Sequence, residues 1–165
     1  TSIWSANLKL ASGIAKIPEY MEQGIHLALG ADGPGCNNRL DGFTEMRLAA
    51  LLHKVKSGPS AIPARRALRL ATRDGAFALG MDDVGSICVG YRADITLLDL
   101  HKPHAYPPTG DLVSRVVYSA LPSDVHTVLV DGRIVVAEGK LTTFKVDQIL
   151  KAAKNSADRL HRKLS

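Results

Sequence analysis

The run IHLALGAD, residues 25–32, constrains the fold more than any other stretch of this chain. It is apolar, short and closed by Gly33-Pro34-Gly35. A run of this length between glycine and proline breakers reads as a buried strand, where a helix would need to be longer. With side chains alternating along a strand, Ile25, Leu27, Leu29 and Ala31 face one way, and His26, Ala28, Gly30 and Asp32 face the other. One face suits packing beneath helices. The other is small until it ends in a carboxylate.

The flanking segments read as helices. Residues 43–56 carry an apolar stripe of Phe43, Met46, Ala50 and Leu51, with Glu45, Arg47 and Lys54 pointing elsewhere, and Ser57-Gly58-Pro59 ends the pattern. A second helix is predicted from Pro63, a favoured first-turn residue, to about Leu79, with Gly80 as its stop. Upstream, residues 5–13 read as a loop and residues 14–23 as a short helix ending at Gly24. Strand, loop, helix and helix are the material of an α/β unit.

After Asp82-Asp83 the character changes. A turn at Gly90-Tyr91-Arg92 leads into a strand over residues 95–98, and the three prolines of residues 101–110 mark a loop. Residues 111–120 are predicted to form a short helix capped by Asp111. Residues 125–130 and 134–136, joined by Asp131-Gly132, read as a hairpin with a two-residue turn. The chain closes on an amphipathic helix in which Val146, Ile149, Leu150, Ala153, Ala157 and Leu160 recur at helical spacing.

Charge and composition narrow the functional classes. The net charge is +5, and residues 151–165 supply +4 of it from five basic residues against Asp158. No aromatic residues are interleaved there to stack bases, so the segment reads as a solvated helix face and no nucleic-acid partner is expected. No apolar stretch is long enough to span a membrane, and the start TSIWSANLKL lacks the pattern of a signal peptide. The absence of an initiator Met suits an excised or truncated product. Cys36 and Cys88 lie in no metal-binding spacing and read as reduced thiols of a cytoplasmic protein.

Three ordered motifs carry a family resemblance. LGADGPGCNNRLDGFTEMRLAALLHK resembles a segment of amidohydrolases that deaminate methylthioadenosine and S-adenosylhomocysteine, with triazine chlorohydrolases as close relatives. GSICVGYRADITLLDL and VLVDGRIVVAEGKL are similar to two further segments of the same superfamily, and NLKLASGIA near the start also matches. The resemblance implies an α/β fold: the last part of a (β/α)8 TIM barrel plus the C-terminal share of a small β-sandwich. On that basis residues 1–82 are the end of the barrel, 84–140 the sandwich portion and 141–165 a C-terminal helix. A whole barrel takes about 250 residues, so this chain holds only part of one.

The same resemblance implies a catalytic zinc or iron ion, held by histidines from earlier strands and by one aspartate closing the eighth, the position of Asp32. Asp32 is accordingly the candidate metal ligand and the catalytic group that orients and deprotonates water, which attacks the amino-bearing carbon of a heterocyclic substrate. Read without the family, a carboxylate in this place caps the following turn. Asn37 and Asn38 match an asparagine pair of the family and are candidate substrate-binding residues, with a loop-stabilising role as the alternative. Gly33 and Gly35 serve backbone geometry, and Glu45 and Arg47 read as a helix salt bridge or tether.

Much of the metal site is missing. The chain has no His-x-His pattern and no histidine pair four apart, and Pro103 interrupts the HKPH that holds His101 and His104, which read as loop residues. His53 is expected on the exposed side of its helix. Ala31, Cys36 and Ser2-Ile3-Trp4 depart from the family's usual Thr, Ser and His-Cys-Pro, which bears on the substrate. The chain alone is therefore expected to be inactive, and to self-associate or to depend on a complementary N-terminal half. Deamination of an aminated purine nucleoside or related ring is the leading expectation for the parent. Alternatives are a chlorohydrolase, a guanine-type deaminase, or a non-catalytic fragment or assembly piece.

Overall fold

In a computed structural model of the chain, residues 4–164 are described. The first half is helical: α1 (Trp4–Lys9), α2 (Ile17–Glu22), α3 (Gly42–Leu52), α4 (Lys54–Ser57), α5 (Ala64–Ala71) and α6 (Arg73–Ala78). The second half holds β1 (Ile95–Leu98), α7 (Leu112–Tyr118), β2 (Val125–Val130), β3 (Arg133–Ala137), β4 (Lys140–Leu141) and α8 (Val146–Leu164). The strands form one antiparallel sheet in the order β1-β2-β3-β4. The architecture is mixed α/β.

Five helices share the main core. Trp4, Ile17, Met46, Ala49, Ala50, Ile62, Ala64, Ala67 and Val117 are buried together, drawing on α1, α2, α3, α5 and α7. Fully buried alanines at 49, 50 and 67 bring helix backbones close, which only small side chains allow. Both long helices of the sequence reading are broken. His53 separates α3 from α4. At Thr72 (φ −129°, ψ −103°) the backbone leaves the helical region, and the side-chain hydroxyl donates back to the Leu68 carbonyl at 2.8 Å. Such local bonding competes with the helical ladder.

Three expectations are corrected. Residues 5–13 were expected as loop, yet α1 begins at Trp4, because the helix is fastened by contacts distant in sequence that are described below. Residues 25–32 do not form a strand: only Leu29 makes a β-bridge, and no strand pairs along this segment among the described residues. A lone segment has no ladder to satisfy its backbone, so apolarity alone cannot make it a strand. The expected two faces are not kept either, since Ala28 is the buried residue and Ile25 is exposed.

The sheet follows the turn chemistry. Val130 pairs with Arg133 across Asp131 (φ 49°) and Gly132 (φ 74°), and Ala137 pairs with Lys140 across Glu138 (φ 51°) and Gly139 (φ 71°). Two successive positive φ values are the type I′ geometry that suits the twist of paired strands. The sheet has a single layer, and Leu97, Val130, Ile134 and Leu141 stay exposed. It is joined to the helices by polar contacts. Asp124 is buried and accepts from Leu121 N at 2.9 Å while pairing with His104 at 2.8 Å. Arg115 donates to the carbonyls of Leu100 and Ala105, and Arg47 donates to that of Ala120 at 2.8 Å.

The terminal helix forms as expected, and its apolar stripe is left open to solvent. Val146, Ile149, Leu150 and Leu160 are all exposed. No helix among the described residues is long and apolar enough to cross a membrane.

Two glycines, Gly75 within α6 and Gly85 beyond its end, sit where a side chain would collide with backbone. A Cβ on Gly75 would lie 2.7 Å from the Leu70 carbonyl oxygen, and one on Gly85 (φ 81°) 2.8 Å from Arg73 Cα. Gly42, at the start of α3, has nothing within 4 Å. Gly85→Ala is therefore expected to lower stability by roughly 1–3 kcal/mol, whereas Gly42→Ala changes it by less than about 1 kcal/mol in the stabilising direction. Urea midpoints of the two variants check this, and equal effects would contradict it.

Candidate active site

The three candidate residues Asp32, Asn37 and Asn38 fall in one loop between Leu29 and α3. Its shape is set by a turn in which the amides of Cys36 and Asn37 both donate to the Gly33 carbonyl, at 3.1 and 2.9 Å. Asp32 has φ 61°, a left-handed conformation uncommon for residues other than glycine and better tolerated by aspartate and asparagine. Its carboxylate is exposed, and Oδ1 accepts from Gly33 N at 2.7 Å. Oδ2 makes no hydrogen bond among the described residues. Within this chain, then, Asp32 acts as a cap for the turn that follows it.

The asparagines behave differently from each other. Asn37 is buried, and its amide nitrogen donates to the Ala31 carbonyl at 2.8 Å and to Glu45 Oε1 at 2.9 Å, while its Oδ1 accepts from Arg39 N at 3.2 Å. All three bonds hold the loop, so the side chain has little capacity left for a ligand. Asn38 is exposed and accepts from Lys9 Nζ of α1, leaving its own amide hydrogens free.

Glu45 is what the sequence reading placed wrongly. Expected to point away from the core, it is 1% exposed on the first turn of α3. Oε2 accepts from the backbone amides of Trp4 at 2.8 Å and Ser5 at 3.2 Å, and Oε1 accepts from Asn37. No cation faces it in this set of bonds, so the expected salt bridge is replaced by neutral donors; the expected tether is what forms. Asp41 starts the same helix, accepting from Phe43 N and Thr44 N, with Arg39 paired to its second oxygen at 2.9 Å. The aspartate, two residues before Phe43, offered a readable cap signal. The Glu45 contacts to Trp4 and Ser5 span 41 and 40 residues, and no local pattern announces them.

His53 is also corrected. It is 7% exposed, edge-on to Trp4 with ring centroids 5.1 Å apart, where exposure had been expected. Its Nε2 and Trp4 Nε1 are buried without partners. His101 and His104 stay in their loop beside Asp99 and Asp124. The Ser2-Ile3 part of the departure noted at the start lies outside the described residues.

A metal ion does not fit these residues alone. Among the described residues no three His, Cys, Asp or Glu side chains come together as ligands, at Asp32 or elsewhere. Two surface cavities, of about 240 and 210 Å³, exclude Asp32, Asn37 and Asn38.

Comparison with known proteins places the chain. Residues 2–135 match the Amidohydrolase family. The chain belongs to that family. A 5-methylthioadenosine/S-adenosylhomocysteine deaminase of Dictyoglomus thermophilum is 47% identical over 96% of this chain and 37% of its own length. A 5′-deoxyadenosine deaminase of Methanosarcina acetivorans is 42% identical over 94% of this chain and 36% of its own. Among solved structures, a zinc-bound adenosine deaminase of Xanthomonas campestris superposes with TM-score 0.93 at 34% identity, over 97% of this chain and 37% of that one. A zinc complex of atrazine chlorohydrolase from Arthrobacter aurescens gives 0.85 at 27% identity, over 93% and 34%. The chain thus spans little more than a third of the amidohydrolases it matches.

The buried histidine gives a pH prediction. Burial pushes the His53 imidazole below its ordinary value, against an upward pull from Glu19 and with a further downward push from Lys56. The fold therefore favours the neutral ring. Its contribution is full above the unfolded value of about 6.5 and is lost as pH falls through the lower folded value. Unfolding free energy should decline from about pH 7.5 to pH 5, and the decline should be shallower in His53→Gln. Parallel curves for the two proteins would contradict this.

Proposed function

We propose that this chain is the C-terminal share of a metal-dependent amidohydrolase that hydrolytically deaminates an aminated purine nucleoside or a related heterocycle. The observation that carries the reading is the family match, with deaminase relatives at 42–47% identity. Residues 1–82 would close a (β/α)8 barrel, 84–140 would supply part of a β-sandwich, and 141–165 the terminal helix. The exposed apolar residues of the single-layer sheet and of α8 are surfaces that such a parent would cover. A complementary N-terminal half, or another copy of the chain, is the partner that this incompleteness calls for. Free Cys36 and Cys88 suit a cytoplasmic setting.

Asp32 is the proposed catalytic residue and metal ligand. A divalent ion, zinc or iron, would be held by Asp32 together with ligands from outside this chain and would supply an activated water. Hydrolytic deamination adds water to the amino-bearing ring carbon and breaks the carbon–nitrogen bond. Asp32 would take a proton from the water with its free oxygen and return it to the departing ammonia. A left-handed backbone at an exposed carboxylate is the kind of local strain that functional sites retain. Asn38, with free amide donors, and Asn37, through the loop it holds, would serve the heterocycle.

Ammonia release tests the reading. The chain is mixed with the N-terminal part of the Dictyoglomus thermophilum deaminase and offered methylthioadenosine, adenosine or atrazine. The chain alone should release nothing, and the mixture should release ammonia from the nucleosides. Asp32→Asn in the mixture should slow this by about 10²–10⁴-fold. Full activity in Asp32→Asn, or turnover by the chain alone, would overturn the proposal, and chloride release from atrazine would favour the chlorohydrolase reading.

A further inference from the structure

A second site takes shape around α6, about forty residues downstream of Asp32 along the chain, and its lining does not include Asp32. Arg66, Arg69 and Arg73 lie on successive turns of α5 and α6, and with His26 and Phe77 they line the cavity of about 240 Å³. One acid answers them. Asp74 pairs with Arg66 at 2.9 Å and with Arg69 at 2.8 Å, and this largely buried carboxylate fixes both guanidinium groups at the cavity wall. Three arginines against one aspartate leave two positive charges. Arg66 Nε is buried with no partner. The Arg73 guanidinium has a single long contact, to Ser86 Oγ at 3.4 Å.

A second cavity, of about 210 Å³, adjoins the first at Arg73 and Phe77 and runs to Asp82, Ser86 and Tyr91. Each cavity alone is smaller than ordinary small-molecule sites of roughly 300–1,000 Å³, and the two together reach that range. Phe77 is 53% exposed at their junction, held edge-on to His26 with centroids 4.6 Å apart. An exposed ring in that position offers a stacking surface between the basic end and the acidic end. Behind Arg73 the Gly85 turn lies against its backbone with no room for a Cβ.

We propose that this groove binds a small phosphorylated ring compound of the nucleoside monophosphate type. Arg73 and Arg66 take the phosphate through charge-assisted hydrogen bonds, for which the guanidinium fork is well matched. The ring stacks on Phe77, and Asp82 accepts from a hydroxyl or amino group at the far end. The order of charge, aromatic face and carboxylate along the groove is what selects this class over a bare anion. The basic residues of α8 lack that order, since they lie on an exposed helix with no aromatic residue among them.

Calorimetric titration of the 165-residue chain with adenosine 5′-monophosphate, inorganic phosphate and adenosine tests the assignment. The monophosphate should bind once per chain and at least about tenfold more tightly than either part alone. Arg73→Ala should weaken it about tenfold, and Phe77→Leu should weaken the monophosphate while leaving phosphate affinity unchanged. Both positions are exposed, so the variants are expected to fold, and thermal melting verifies that. The proposal is overturned if the monophosphate does not bind at millimolar concentration. It is equally overturned if Arg73→Ala binds as wild type, if phosphate alone binds as tightly, or if affinity falls instead on replacing Lys151 and Lys154.

Discussion

A buried carboxylate organises the first half of this chain. Glu45 takes two backbone amides from the start of α1, 41 and 40 residues away, and one side-chain amide from the nearby Asn37 loop, so three segments meet at one group. A carboxylate withdrawn from water is costly unless its oxygens are satisfied, and here neutral donors do this. The consequence is local order where the sequence is weakest. Residues 4–9 have little apolar periodicity of their own, yet they form a helix because their first amides have an acceptor waiting. The loop that carries Asp32 inherits the same anchor through Asn37 and the Ala31 carbonyl.

Local chemistry made the second half legible. The strand at residues 95–98, the Asp111 cap and the Asp131-Gly132 hairpin all stand as their residues suggest. Each depends on neighbours within a few positions: alternation, a capping oxygen, or a pair of residues that accept positive φ. The extra strand after Glu138-Gly139 follows a turn of the same geometry, and the Glu-Gly pair is its local signal. Asp41 is a comparable case at α3.

Misreadings arose where the deciding partner is remote or absent. Glu45 and His53 both look like surface residues on a helix, and both are buried by Trp4 or its backbone, more than forty positions away. The apolar run before Asp32 has the composition of a strand without strands to pair with among the described residues. Composition specifies burial, but the ladder that turns burial into a strand needs other segments. Asp32 shows the same limit. Its proposed catalytic role rests on the motif resemblance, while the geometry of this chain gives it a turn to cap.

Electrostatics follows that division between local and remote partners. Asp74, Asp83 and Asp124 each meet a cation or imidazole close by and settle arginines or a histidine near the elements they join. Glu45 alone of these acids works through neutral donors, which makes its removal distinct from loss of an ion pair. Amide hydrogen exchange at Trp4, Ser5 and the Asn37 side chain, compared between the wild type and Glu45→Ala, tests that role most directly. The account predicts slow exchange in the wild type, loss of protection at all three groups together in the variant, and about 2–4 kcal/mol of lost stability for stranding buried donors. Protection unchanged at Trp4 and Ser5, with a stability change below about 0.5 kcal/mol, would contradict it.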